Sequence, residues 1–534
     1  MKKQKLLLFL ILGLAFFLRF YRLGSYPALN ADEAAIGYNA YSLLETGRDE
    51  HGNSWPIHFQ SFNDFKPGLY FYVVMPFVKV LGLNEWAVRI PGALAGALTV
   101  WVVFLLVIEL FNNKKQSLLA ALLLAISPWH IHFSRGGWEV NMATFLMTLG
   151  VYFFVRAKKQ PRYYVWSVTA FVASFYTYHA VRVVIPLLGL GLIIAYWRTI
   201  LKKSKIILVS GLVGVILVLP LVQTVFTPEV ISRAAGVGLF ADTGPLARIE
   251  EQRGEHSDFM GLIPKVLHNK ITNYGLAFAQ NWGEHYWGEF LFLSGDEIQR
   301  NKVPEMGQMY LVEVIFMIVA LVSIARKPDH WGTVLWWLAV APVAAALTFQ
   351  SPHALRAHNM VIPLIIMSSF GALKFTEIFK SKKLGVVILG LLLLWSFVRY
   401  QKMYWMHMAK EYPYSSQYGV KELVNYVSER GNDFGQVIVT NRYDQPYILF
   451  LFYLKYSPSE FQIDHVLTPR DEFGFSTVER FGKYSFIEVM YDRTKPENPN
   501  SLIVGIDEEI PDAANIVKKI HGSNGYKYFE VVAN

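Results

Sequence analysis

Two carboxylates, Asp32 and Glu33, stand side by side in LNADEAAIGYNAY (29–41), directly after the first apolar run of the chain. Neighbours on a helix point about 100° apart, so the pair cannot share one task. Asn30 is a favoured N-cap and Glu33 lies three positions later, the spacing of a capping box in which Glu33 reaches back to the Asn30 amide. Glu33 is thereby accounted for as structure. Asp32 is either a first-turn acid, favoured by the helix dipole by roughly a few tenths of a kcal/mol, or a general base facing something outside the helix.

Further on, SFNDFKPGLYFY (61–72) sets Asp64 and Lys66 just before a Pro-Gly turn and an aromatic run. A lysine at a membrane interface snorkels by default. The functional alternative for Lys66 is a point charge for a phosphate held near the headgroups, with Asp64 as a ligand for a divalent metal ion or as a partner that orients Lys66.

Three turns then repeat one theme: SPWHIHFSRGGWE (127–139) with His130, His132 and Arg135, YTYHAVR (176–182) with Tyr178, His179 and Arg182, and SPHALRAHN (351–359) with His353 and Arg356. An aromatic belt explains Trp129, Phe133 and Trp138 but not the arginines. Recurrent His/Arg turns suit a pocket for a polar, anionic molecule at the bilayer edge, and none has a recognised metal-ligand spacing. A fourth stretch, 281–313, clusters Glu284, His285, Asp296, Glu297 and Arg300 among aromatic residues, a mixture that suits the face of a sugar.

Positioning these residues requires a membrane. The 534-residue chain is 53% hydrophobic and 15% aromatic, with its apolar residues in blocks near the roughly 20 needed to cross a bilayer. The net charge of +9 does not point to nucleic acid, because Lys and Arg concentrate in short links such as MKKQK, NNKKQ, RAKKQPR and KSKK between apolar blocks. That is the positive-inside pattern. The absence of cysteine excludes disulfides, a thiol nucleophile and Cys-ligated zinc. The N-terminal apolar run is followed by RFYRLG rather than by a small-x-small site, and reads as an uncleaved anchor.

Putting every basic link on the cytoplasmic side gives about eleven spans, roughly 6–23, 87–111, 116–132, 138–155, 163–178, 181–197, 206–226, 308–325, 331–349, 358–379 and 384–402. The block at 69–82 is short and holds Lys79 and Pro76, so it is expected as a re-entrant or interfacial segment. Outer loops then cover 24–86 and 227–307. From 403 the composition changes. Helical spacing in YGVKELVNYVSER and QPYILFLFYLKY, and strand-like QVIVTN, SFIEVM, SLIVGI and KYFEVVAN, predict a small extracytoplasmic α/β domain over 403–534 beside a transmembrane domain over 1–402.

Taken in order, the DE pair after span one, FKPGLYFY, WAVRIPGALAG, SPWHIHFSR, FLFLSGDEIQRNKVPEMGQMYL and HALRAHNMVIP resemble the C-type (GT-C) multi-spanning glycosyltransferases, over about residues 6–400. The likeness is to the bacterial relatives of protein O-mannosyltransferases and of the lipid A aminoarabinose transferase. It implies a mainly α, polytopic helical bundle in the bacterial plasma membrane, with its active site facing away from the cytoplasm. The implied donor is a polyprenyl-phosphate sugar, and the acceptor a hydroxyl of a protein, glycan or lipid. The resemblance assigns the catalytic base to Asp32 and the donor phosphate contact to Lys66, with Arg135, Arg182 and Arg356 as further cations. Asp64, His132, Tyr178, His179, His353, Glu284 and Asp296 are then pocket candidates. Some relatives carry a metal-holding acid directly before the lysine. Here Phe65 stands there, with Asp64 one earlier, so a divalent metal ion stays an open alternative that would rest on Asp64. Gly68 replaces the usual second proline. The rival class is a transporter or flippase of a lipid-linked saccharide, disfavoured because charges gather in turns rather than in span centres.

Overall fold

A computed structural model describes residues 2–62, 64–225, 238–412, 415, 417–470 and 476–534. Helices form over each of the apolar blocks: Lys2–Phe20, Glu85–Phe111, Lys114–Ile126, Glu139–Arg156, Tyr163–Phe175, Val181–Leu201, Ser204–Val225, Glu313–Arg326, Gly332–Val340, Val361–Ile378 and Lys382–Lys402. Among the described residues, five helices are long and apolar enough to cross a bilayer. A sixth is added if Lys114–Ile126 and Pro128–Ser134, bent by 57°, count as one span. Their outer faces require an apolar solvent: Ser204–Val225 exposes Leu208, Leu212, Val215, Ile216 and Leu219. The chain is a multi-pass membrane protein.

Contacts divide the chain into two compact units, each assembled from separate stretches. One contains Met1–Ala15, Ala97–His132 and Ala143–Tyr400; the other contains Phe16–Gly96, Phe133–Met142 and Gln401–Asn534. The first unit is helical, and within it Glu313–Arg326 packs along Val361–Ile378, which in turn meets Lys114–Ile126.

The second unit carries a seven-stranded mixed sheet. Its spatial order is Val466–Leu467, Val478–Phe481, Tyr484–Ile487, Gln436–Thr440, Ser501–Gly505, Lys527–Ala533, Ile516–His521. Gln436–Thr440 pairs in parallel with both of its neighbours, and the outer pairs are antiparallel. The helix Pro446–Leu454 is buried from Pro446 to Phe452, because its YILFLFYL run is apolar on every face. One face meets the helix Val420–Arg430, and the other meets Ala31–Thr46 from the first loop. Gly37 permits that approach, since a Cβ there would stand 2.6 Å from the Phe452 ring and 2.7 Å from Val88.

The compact units therefore cut across the boundary expected at 402. Tyr38, Leu43, Phe59 and Phe71 share one core with Leu423, Phe450, Phe461 and Phe529. The last long helix also runs on, through Met403–His407 to Met408–Glu411. The 69–82 block is a 13-residue helix, Leu69–Leu81, that buries Tyr70, Phe71, Val74 and Val78 in this core.

Candidate functional site

The helix Ala31–Thr46 begins as its spacing predicts. Asn30 is extended at φ −94° and ψ 168°, its side chain accepts from the Glu33 amide, and Glu33 returns a carboxylate oxygen to the Asn30 N–H, completing the capping box. Asp32 is the second residue of this helix, so its carboxylate sits in the favourable end of the helix dipole. Lys66 comes from a hairpin of His58–Ser61 and Asp64–Pro67, where it stands opposite Phe59. Its ammonium forms an ion pair with Asp32 Oδ1 and lies 4.9 Å from the centre of the Phe62 ring. The Lys66 side chain is 8% exposed and that of Asp32 is 26% exposed. One partner is thus held by the protein while the other opens to solvent. The Gly68 N–H donates to Ile57 O at 2.9 Å, a bond that a proline at this position could not make.

Glu33 is committed elsewhere. Its carboxylate takes both Arg89 Nε at 2.6 Å and Arg89 Nη2 at 2.7 Å, and also the Gly137 N–H at 2.7 Å. Arg89 donates further to the carbonyls of Leu23, Pro27 and Ala28, fixing the exit turn of the first helix. Arg135 has a parallel task in the same unit. It is fully buried and donates to Leu18 O, Arg19 O, Tyr26 O and the Tyr404 hydroxyl, with its guanidinium 4.8 Å from the Trp405 ring. These bonds employ the cation in holding that turn.

Glu50 is a buried acid that spacing did not single out. Its side chain is fully buried, and neither carboxyl oxygen makes a hydrogen bond of good geometry. Burial, and then Asp49, push its carboxyl well above the usual 4.5, while Asn39, Lys66 and Tyr447 act in the opposite direction. Above about pH 4.5 the unfolded chain ionises at this residue and the folded chain does not, so each further unit removes roughly 1.4 kcal/mol of stability until the folded group also ionises. Glu50→Gln lacks that loss. It should melt together with wild type at acidic pH and above it at pH 7. A variant that melts below wild type at neutral pH would instead mean an ionised Glu50 held by its neighbours.

Apart from Asp64, the remaining predicted residues lie in the other unit. Asp296 accepts from the Ile298 and Ala354 amides and from Asn301, and His353 Nδ1 stands 3.7 Å away. Burial pushes the Asp296 carboxyl up and His353 well down. His285, brought to about 4 by burial, accepts the His353 N–H at 3.1 Å. Asp296, His285 and His353 thus form one network. Arg356 Nη1 donates to Thr348 at 2.7 Å, and His132 is bonded to Arg300 O at 2.8 Å. Arg182 pairs with His179 at 3.2 Å beside buried Tyr178, and Glu284 accepts from Gln280 on its own helix. The Asp64 side chain lies outside the described residues. Among those residues no three His, Asp or Glu side chains converge as metal ligands.

Spacing also missed Arg89, Gly137 and Gln417, whose side chain accepts the Ala31 N–H. Only Arg89 left a signal, an arginine at the head of the apolar run WAVRIPGALAG.

Comparison with known proteins converges on one architecture. Residues 66–223 match the family model described as dolichyl-phosphate-mannose-protein mannosyltransferase. The Bacillus subtilis protein YycA, whose description as a mannosyltransferase is provisional, is 33% identical over 106 residues, or 20% of this chain and 15% of that protein. An uncharacterised Aquifex aeolicus protein is 28% identical over 163 residues, covering 30% of this chain and 31% of that one. The matched segments therefore span less than a third of either relative. The crystal structure of ArnT from Cupriavidus metallidurans bound to undecaprenyl phosphate superposes with a TM-score of 0.56 at 12% identity, covering 98% of this chain and 97% of that one. The Archaeoglobus fulgidus oligosaccharyltransferase in complex with zinc and sulfate gives 0.52 at 12% identity, covering 84% and 61%. At such identities the likeness is one of fold.

Proposed function

We propose that this chain, which has the GT-C glycosyltransferase fold, is an integral-membrane inverting glycosyltransferase that moves a sugar from a polyprenyl-phosphate donor to a hydroxyl acceptor on the outer face of a bacterial plasma membrane. The observation that carries the reading is the Asp32–Lys66 ion pair, an acid at a helix N-terminus joined to a nearly buried ammonium. An undecaprenyl phosphate bound to a protein of the same fold supports the donor class. The basic links support the orientation, with the α/β segment after 403 on the outer side.

In this mechanism the donor phosphate exchanges for Asp32 as the partner of Lys66. The exchange has two consequences: the phosphate gains a fixed positive charge, and the Asp32 carboxylate is released to act as a base. An acceptor hydroxyl loses its proton to Asp32 as its oxygen attacks the anomeric carbon. The bond from that carbon to the phosphate oxygen breaks on the opposite side, so configuration inverts. The bond electrons leave on the lipid phosphate, which Lys66 stabilises. Arg135 is assigned to holding the exit turn.

The test uses purified chain in lipid nanodiscs with radiolabelled undecaprenyl-phosphate mannose and a cell-envelope acceptor fraction. Transfer of label without an ion gradient is expected; vectorial movement of an intact donor would favour the flippase. Lys66→Ala should raise the donor KM by one to two orders of magnitude, since it removes a charge-assisted contact worth roughly 1.5–3 kcal/mol. An unaltered dependence on donor concentration would end the phosphate assignment.

A further inference from the structure

A cavity of about 420 Å³ opens in the second unit between the exit turn and the α/β segment. Its volume falls in the range of small-molecule sites, roughly 300–1,000 Å³. Leu29 lines it, and three peptide links, roughly 11 Å at most, separate the Leu29 Cα from that of Asp32. Gln417, another lining residue, accepts the N–H of Ala31, the residue before Asp32. The cavity thus adjoins the start of the helix that carries the proposed base.

Its lining is chemically specific. Asn425 presents an amide with both donors and an acceptor, Gln417 is held between the Ala31 N–H and the Asp444 carbonyl, and Tyr418 and Tyr453 add hydroxyls and ring faces. Glu85 and Lys421 are locked together at 2.6 Å, and the Lys421 ammonium lies 5.4 Å from the Tyr453 ring. A sugar hydroxyl is itself both donor and acceptor, so such a wall matches it better than it matches a purely apolar or purely anionic ligand. The charged pair opposes an acyl chain. The lining comes from turns and helices, with no strand edge along which an extended peptide could add.

We infer that this cavity binds a hydroxyl-rich glycan as the acceptor, an assignment that rests on the transfer reaction proposed above. It also gives the α/β segment a task. Gln417, Tyr418, Lys421, Asn425 and Tyr453 all come from it, so it supplies most of the recognising side chains while the first loop supplies Asp32.

The experiment is equilibrium binding to the full chain in nanodiscs, read by saturation-transfer NMR without turnover. The probes are mannotetraose, maltotetraose and chitotetraose, with acetyl-Ala-Thr-Ala-amide as the peptide arm and dihexanoylphosphatidylglycerol as the lipid arm. At least one tetrasaccharide should bind wild type, and Asn425→Trp, which fills the cavity from an exposed helix position, should weaken it tenfold or more. Asn425→Ala, which removes only the amide, should weaken it about threefold, and unchanged melting curves would certify both folds. Binding of no tetrasaccharide, equal binding by Asn425→Trp, or Asn425-dependent binding of the peptide or lipid instead would overturn the assignment. A wild-type chain that binds the glycan yet cleaves no donor would support the site while overturning the transfer reaction.

Discussion

Asp32→Asn should yield an inserted, folded protein whose turnover falls by roughly 10²–10⁴, the usual contribution of a positioned general base, equivalent to about 3–5 kcal/mol. Folding should survive because the helix cap belongs to Asn30 and Glu33, neither of which depends on Asp32. The carboxylate is 26% exposed, so its pairing with Lys66 is partly screened and its loss should cost about 1 kcal/mol or less. The kinetic signature separates this residue from a structural one. In wild type the donor phosphate must take Lys66 from Asp32, whereas in Asp32→Asn that competition is gone. The donor KM should therefore hold or fall while kcat collapses. Lys66→Ala should show the opposite pattern, a raised donor KM. Near-normal kcat in Asp32→Asn would remove Asp32 from the role of base, and loss of the folded protein would move the residue to the structural side.

The structural role of Glu33 was legible because it depends on a local rule: a cap and an acid three residues later form a capping box. The helices were legible for a similar reason, since apolar blocks of near-spanning length have few other conformations available. What remained hidden is long-range. Arg89 is 56 residues from Glu33, and Gly137 is 104, so no window of sequence links them. Arg135 looked like a phosphate ligand because its turn is polar and aromatic, yet four partners from residues 18–26 and 404 occupy it. The boundary at 402 reflects a real change in composition but not in packing. YILFLFYL is too apolar to be covered by one sheet, and its second cover comes from residues some 400 positions earlier, a pairing that composition cannot report. Glu50 was passed over because an acid beside Asp49 in a polar loop resembles a solvated surface, whereas the fold closes over it completely.

The largest effect on stability should come from Arg89→Ala. Arg89 and Glu33 are both essentially removed from water, at 0% and 1% side-chain exposure. Removing one partner of such a pair costs about 3–5 kcal/mol, because the other is left charged and buried. Here the loss is compounded, since the carbonyls of Leu23, Pro27 and Ala28 lose their donor in the same step. Against the roughly 5–15 kcal/mol that holds an ordinary domain together, this is enough to release the exit turn and, with it, the entrance to the Asp32 helix. Arg89→Lys keeps the charge but replaces a planar fork with a point donor that cannot reach two carboxylate oxygens and three carbonyls together, so it should fall in between. Glu33→Gln should be milder than Arg89→Ala, because the arginine retains its three carbonyls, and an amide oxygen can still accept from Gly137, whose missing Cβ leaves room beside Val88. The expected order of melting temperature therefore puts wild type first and Arg89→Ala last, with Glu33→Gln and Arg89→Lys between them and Arg89→Ala depressed by roughly 5 °C or more. Thermal melts of the four proteins in one detergent, followed by limited proteolysis within 20–30, would test it. If Arg89→Ala melted with wild type and its exit turn stayed protected, the buried pair would not be what holds Asp32 in place.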